Sequence, residues 1–296
     1  MRQENTYLAI KELHDKKKYE IYLLCELAGI PRSAYYKWMN RKESQREAGN
    51  RMLANRIEKI HNSIPQLGYR RMRDVLMREY GIHTSDSHVL RIMRILGIQS
   101  AVKFGRQGCT KSDSNPQHTA ENILNRNFRA DKPNEKWLTD VTEFKYITGN
   151  EIHKIYLSAI LDLCDRRIVS YVIGSHNNNM LVFSTFDEAV AANPDAHPLF
   201  HSDRGFQYTS GIFHRKLSDA GMTQSMSRVA RCLDNGPMEG FWGILKREMY
   251  YGRKYHDREI LEKAIEDYID YYNNRRYQRK LMTLTPMEAH DVLLAA

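Results

Sequence analysis

Residues 153–165 read HKIYLSAILDLCD, a nearly continuous apolar run of strand length. A strand of that composition needs cover on both faces, so it belongs in the middle of a sheet and not at a solvated surface. Its flanks agree. KWLTDVTEFKYIT (136–148) alternates like a strand and RIVSYVIGS (167–175) reads as a third, with connections short enough to favour an antiparallel meander. NMLVFSTFDEAVAAN (179–193) then has helical character and HPLFHSD (197–203) reads as a short buried strand. SGIFHRKLSDAG (210–221) is helical, MTQSMS (222–227) is strand-like, and the chain from Pro237 onward is helix-rich.

Three strands, helix, strand, helix, strand, helix is the element order of a ribonuclease-H-like fold. The expected class is α/β, with a mixed five-stranded sheet and helices on both faces, preceded by all-α modules. Within that order three acids stand apart. Asp140 lies in the first strand, Asp203 ends the fourth, and Glu239 opens a late helix. Neighbouring strands bring Asp140 and Asp203 together at a sheet edge, and the helix then supplies the third acid. At about 100° per residue, Met238, Phe241, Trp242, Leu245 and Met249 form one apolar stripe, with Glu239 and Lys246 both to one side of it. Three hard oxygen donors without a His or Cys cluster suit Mg²⁺ or Mn²⁺, in a pair, for in-line phosphodiester displacement. Asp162, Asp165 and Asp234 are weaker candidates, because they sit where strand ends and turns are expected.

The first half of the chain has a different character. Residues 1–135 hold 25 Lys and Arg against 15 Asp and Glu, whereas residues 136–296 hold 20 against 21. A field so one-sided points to a polyanionic partner for the first half. YEIYLLCELAGIPRSAYYKW (19–38) has two short helical patterns across Gly29, a helix-turn-helix arrangement that offers Arg32, Tyr36 and Lys37 to DNA. A second basic three-helix unit follows, with Arg70, Arg71, Arg91 and Arg94 on its polar faces. The expected organisation is an N-terminal helix-turn-helix-like segment (1–45), a second helical module (46–98), a linker (99–133), a catalytic core (134–253) and a C-terminal helical extension (254–296). The four cysteines are scattered, no apolar run nears membrane-spanning length, and the N-terminus lacks a signal-peptide core. These features predict a cytoplasmic, nucleoid-associated protein with no membrane partner.

WLTDVTEF, HSDRGFQY, SMSR…CLDNGPMEGFWGILKRE and YIDYYNNRRYQRKLMTLTPMEA resemble the second-frame (OrfB) transposases of the IS-three family of insertion sequences, and the resemblance extends to LGYRRM…VLRIMRILGI and IYLLCELAGIPRSAYYKW. The 35 residues between Asp203 and Glu239 match the family's spacing and that of retroviral integrases. The resemblance implies a DDE recombinase that cleaves element ends and transfers the 3′ hydroxyl into DNA. It makes Asp140, Asp203 and Glu239 the catalytic and metal-binding residues, and Lys246 a contact to the element's end. It implies terminal inverted repeats and target DNA as partners, a homo-oligomer on DNA, and a first-frame protein or a fusion with it. Where the family has SRKGNCYDNA this chain has SRVARCLDNG, departing at Ala230, Leu233 and Gly236 among others. His83 and His88 lack the C-x-x-C that a retroviral-type zinc module needs, so no zinc is expected. The rival readings are a plain metal-dependent nuclease, a decayed transposase or regulator acting only through its helix-turn-helix modules, and a serine or tyrosine recombinase, for which Tyr250, Tyr251, Tyr271 and Tyr272 are the candidate tyrosines.

Overall fold

The computed structural model describes residues 4–102, 118–228 and 232–295. They divide into two compact units, Met1–Lys59 and Ile60–Ala296. The N-terminal unit comprises α1 (Glu4–Lys17), α2 (Ile21–Leu27), α3 (Arg32–Met39) and most of α4 (Gln45–Ser63). Its core joins Tyr7 and Ile10 of α1, Leu24 and Cys25 of α2, and Ile30 and Tyr35 at and within α3. Gly29 takes a φ of +64°, which lets the chain reverse between α2 and α3 at little steric cost.

The second unit opens with α5 (Tyr69–Tyr80) and α6 (Asp86–Ile95), followed by a five-stranded sheet. The strands are β1 (Lys136–Thr148), β2 (Glu151–Asp162), β3 (Ile168–Gly174), β4 (Leu199–Ser202) and β5 (Thr223–Met226), in the order β3-β2-β1-β4-β5. β1, β2 and β3 pair antiparallel, while β4 joins β1 in parallel and β5 joins β4 in parallel. This is the expected mixed ribonuclease-H-like sheet, with the apolar run at its second position. β1 and β2 meet across Gly149 and Asn150, and the positive φ of Gly149 suits a tight two-residue hairpin. The structure shortens one expectation: β2 stops at Asp162, not at Asp165. Asp162 accepts the Cys164 N–H (2.7 Å) and Asp165 the Arg167 N–H (2.9 Å), so these carboxylates build a turn where the apolar run alone suggested more strand.

Alternation along the strands sorts side chains to two faces. Trp137, Ile160 and Phe200 meet α7 (Asn179–Ala192) and α8 (Gly211–Asp219) through Val182, Phe186, Phe213 and Leu217. Leu138, Phe144, Leu157 and Leu161 face the other way, against α9 (Gly236–Leu245) and α10 (Arg258–Asn274). The stretch predicted as a C-terminal extension therefore shares with α9 the cover of one face of the sheet: Leu261, Ile265, Tyr268, Ile269 and Tyr272 of α10 are all buried there. The latter part of the predicted linker has no regular element, yet from His118 it is held to the core. Leu124 is buried and its N–H donates to the Ser225 Oγ (3.1 Å).

Two charged junctions fix the α5–α6 module to this unit. Buried Glu248, in a π-helical turn (Lys246–Tyr250) that continues α9, accepts hydrogen bonds from Arg71 of α5 (3.1 Å), Tyr268 (3.0 Å) and Arg276 (2.9 and 3.2 Å). Burial alone pushes the Glu248 carboxyl upward, but Arg276 and then Arg71 outweigh it and hold it below its usual range. The second junction is Arg279, which donates to buried Asp74 (2.9 Å) and to Asp86 at the start of α6 (2.7 Å). Breaking a buried pair on one side leaves an uncompensated charge, at a cost of about 3–5 kcal/mol. Arg276→Met is therefore expected to lower the melting temperature by roughly 6–15 °C, and Glu248→Leu in the same chain to restore part of it, both read by differential scanning calorimetry. Hydrogen bonding from Arg279 holds the Asp86 carboxyl down to about 2. Its stabilising contribution is thus complete above the unfolded-state value near 3.9 and disappears as pH falls toward 2. Acid unfolding followed by circular dichroism is expected to show a loss in that window that is shallower in Asp86→Asn.

Candidate active site

The parallel pairing of β1 with β4 sets Lys136, Trp137 and Leu138 opposite Leu199, Phe200 and His201. Both strands run the same way, so two residues further along each stand Asp140 and Asp203. Asp140 shares the face of Leu138 and Phe144, which is the α9 face. Leu199 packs against that same cluster, and Asp203, four residues on, follows just beyond the end of β4. The two acids predicted from sequence are thereby brought side by side from positions far apart in the chain.

Glu239 sits in the first turn of α9, which Pro237 helps to start and where the helix dipole favours a carboxylate. The start of that helix is held by Asp234, which is fully buried and accepts from Arg228 (2.8 and 2.9 Å), Arg126 (2.7 Å) and Asn122 (2.9 Å). The Arg228 hydrogen bonds keep the Asp234 carboxyl well below the usual carboxylate range. Asn235 completes the clamp by donating to the Thr139 carbonyl (3.0 Å), one residue before Asp140. Asp234, a weaker candidate by sequence, is thus a builder of the frame around the site, while Asp162 builds the turn after β2.

Asp140 has both carboxylate oxygens engaged: Oδ1 accepts the Val141 N–H (2.8 Å) and Oδ2 the Trp242 indole N–H (3.0 Å). Asp203 accepts the Gly205 N–H (2.8 Å). A Cβ at Gly205 would come within 2.9 Å of the Gln207 side chain and 3.1 Å of Asp203, so the glycine of HSDRG leaves room for the carboxylate. Arg204 donates to the Ser227 carbonyl (2.9 Å). Burial, then the charge of Asp203, and last that of Glu239 push the Asp140 carboxyl up to about 8. Burial likewise raises Asp203 and Glu239. Lys246, half-buried over the Phe144 ring (5.1 Å), is lowered by burial and supported by Glu143 and Asp140.

Among the described residues no three His, Cys, Asp or Glu side chains close into a set able to hold a metal ion by themselves. Two adjacent carboxylates with a third acid on α9 nonetheless match the way Mg²⁺ is commonly held: one or two carboxylates, with water and substrate phosphate completing the shell. A cation there would also offset the repulsion that raises Asp140.

The other predicted residues fall elsewhere. Arg71 is turned into the fold toward Glu248, while Arg70, Arg91 and Arg94 are exposed on the second unit. Arg32, Tyr36 and Lys37 are exposed on α3 of the first. Of the departures from the family signature, Ala230 lies outside the described residues. Leu233 is exposed, and a Cβ at Gly236 would meet nothing nearer than Phe128 at 4.0 Å, so neither disturbs the carboxylates. Sequence reading missed Trp242 as a polar partner, treating it as core only. Its place three residues after Glu239, on the side of the helix facing β1, was the available signal.

Family profiles described as the integrase core domain match residues 130–232 and 239–291, and one described as an HTH-like domain matches residues 47–104. The Escherichia coli (strain K12) protein named as transposase InsK of insertion sequence element IS150 is 36% identical over 91% of this chain and 93% of its own length. A transposase-like protein of Haemophilus influenzae is 41% identical over 70% of this chain and 93% of its own. The HTLV-2 integrase catalytic core domain in complex with magnesium superposes with a TM-score of 0.42 at 20% identity, covering 55% of this chain and 99% of that one. No helix among the described residues is long and apolar enough to cross a membrane.

Removing one charge from the carboxylate group while keeping the Gly205 hydrogen bond should relieve repulsion. Without divalent ions, Asp203→Asn is expected to raise the melting temperature by about 2–4 °C, the equivalent of roughly 1 kcal/mol in a unit of this size. Adding Mn²⁺ should raise that of the parent chain and leave the variant unmoved, as read by thermal shift.

Proposed function

The chain belongs to the integrase-core transposases of insertion sequences and is a DNA transposase, and we propose that Asp140, Asp203 and Glu239 are its catalytic carboxylates. The observation that carries this reading is the parallel β1–β4 register, which sets Asp140, within β1, beside Asp203, just past the end of β4, on the face toward α9. The integrase core implies a divalent metal, and the oxygen-only donors favour Mg²⁺ or Mn²⁺, in a pair. When bound, the metal supplies Lewis acidity to the attacking and leaving oxygens.

The protein's own part is to hold the acids and the DNA. Val141 and Trp242 fix the Asp140 rotamer, Gly205 fixes that of Asp203, and the Asp234 clamp fixes the helix that presents Glu239. In the first step, water attacks the phosphodiester at the element end. A P–O bond to the 3′ oxygen breaks, and a free 3′ hydroxyl remains. In the second, that hydroxyl attacks a phosphodiester of other DNA, displacing its 3′ oxygen, and its proton passes to solvent. Each joining step exchanges one phosphodiester for another, so no nucleotide triphosphate is needed. Lys246 stands beside the acids for a phosphate of the element's end, and Arg32, Tyr36 and Lys37 offer a further DNA surface on α3.

The partners are the terminal inverted repeats and target DNA, engaged by a homo-oligomer assembled on DNA, with a first-frame protein or a fusion to it as a further component. Residues 1–45, 46–98, 99–133, 134–253 and 254–296 form the working parts, acting on the nucleoid in the cytoplasm. The candidate tyrosines give no support to covalent catalysis: Tyr250 donates to the Lys145 carbonyl (3.0 Å), and burial first raises Tyr250, Tyr271 and Tyr272 above the usual phenol value. With Mn²⁺ and a duplex carrying the element end, the parent chain is expected to yield nicked and joined products. Asp140→Asn, Asp203→Asn or Glu239→Gln should reduce both by at least about 1,000-fold, the scale set by loss of metal-assisted chemistry. Undiminished joining by these variants, or protein covalently attached to cleaved DNA, would overturn the proposal.

A further inference from the structure

Lys145 and Lys154 stand directly opposite one another in the β1–β2 register, and both are exposed. Like charges so placed disfavour the hairpin. Glu143, two residues back along β1 and on the same face by alternation, lies 2.9 Å from the Lys154 Nζ and 3.7 Å from that of Lys145. Elsewhere in this half of the chain Lys216 has Asp187, Lys263 has Asp267 and Arg275 has Asp270. Here two ammonium groups share one carboxylate, whose charge also reaches Lys246. β3 pairs with β2 only from Tyr156 onward, so residues 144–155 run past the third strand as a two-stranded ribbon. The ribbon is nonetheless held: the Tyr250 hydroxyl accepts the Lys145 N–H and donates to its carbonyl (3.0 Å each), and the Ile147 N–H donates to the Tyr255 carbonyl (2.9 Å).

Resting on the reading of Asp140, Asp203 and Glu239 as the active site, we propose that Lys145 and Lys154 form a clamp for a backbone phosphate of duplex DNA, a few base pairs from the bond that is broken. At about 3.4 Å per residue, Glu143 stands roughly 10 Å and Lys145 roughly 17 Å beyond Asp140 along β1. A DNA strand presents a phosphate about every 3.4 Å of helix axis, so that span covers roughly three to five base pairs. The fold itself has little use for the pair. Exposed ion pairs contribute little to stability, and a second lysine opposite the first subtracts from it. Glu143 serves as a placeholder that keeps the two ammonium groups together until a phosphate, of the same charge, takes its position. Lysine is a point charge without the planar fork of arginine, so the clamp grips DNA without reading its sequence. With its backbone tied to Tyr250 and Tyr255, the ribbon sets the distance between the gripped phosphate and the carboxylates.

The test uses the full chain and fluorescence anisotropy without divalent ions, in two arms. One arm titrates a labelled duplex carrying the terminal repeat that flanks the reading frame. The other titrates a labelled duplex of unrelated sequence against the complex already formed with the unlabelled repeat. Lys145→Gln with Lys154→Gln is expected to weaken binding at least about tenfold near 0.1 M salt, with a salt slope shallower by about two. Loss in the first arm assigns the gripped phosphate to the element's end, and loss in the second alone assigns it to target DNA. Lys145→Arg with Lys154→Arg should keep the parent slope, and Glu143→Gln should tighten binding in the same arm. The proposal fails if the glutamine variant binds as the parent does in both arms, or if its melting temperature falls below the parent's. It also fails if Glu143→Gln weakens binding, the mark of an acid needed only to hold the hairpin. Nicking in Mn²⁺ is read separately: an Asp203→Asn chain that nicks as the parent does overturns the catalytic reading, whatever the anisotropy shows.

Discussion

Parallel pairing of two strands requires a long crossover between them, and this requirement organises the second unit. β4 can lie beside β1 only after the chain has passed through β2, β3 and α7. The crossover supplies helical cover for one face of the sheet and returns the chain with Asp203 next to Asp140. With α9 and α10 covering the other face, a pair of acids is held at the margin of a core. There burial raises both of them, and the charge of Asp203 raises Asp140 further. The arrangement is costly as structure and serviceable as chemistry.

Most of this frame was legible from residues alone because the strands and helices differ sharply in period. The near-continuous apolar run of β2, the alternation of β1 and the short β4 ending at the acid correspond to the observed elements within a few residues. The positions of the three acids were legible too: Asp140 stands within β1, Asp203 just past the end of β4 and Glu239 in the first turn of α9, as the element order suggests. Less visible were contacts between residues distant in sequence. Nothing near Arg71 distinguishes it from Arg91, yet one is bonded to Glu248 and the other has no hydrogen-bond or ion-pair partner among the described residues. Nothing in 254–296 announces that its first helix completes the core under the sheet. The turn after Asp162 shows in the placing of the two acids but not in the apolar run, because two side-chain carboxylates, and not the apolar pattern, decide where β2 stops.

The charge asymmetry of the sequence acquires a finer meaning in the structure. A part of the positive excess in the first half is internal wiring: Arg71, Arg73 and Arg78 meet acids within the second unit. Glu248 is the main receiving point, contacted by α5, α10 and the segment that follows α10. It lies in a π-helical turn directly after the helix that bears Glu239, and such turns often mark functional sites. The α5–α6 module is therefore joined to the same stretch of chain that presents the third acid and Lys246.

The Trp242–Asp140 hydrogen bond carries a consequence for how this chain can diverge. Trp242 packs among the buried residues of α9, and its indole nitrogen is also what steadies the carboxylate. A change that repacks the core with Phe or Leu would preserve apolar volume and still free Asp140 to rotate. Core drift and site drift, which in many enzymes proceed on separate residues, are here obliged to pass through one side chain.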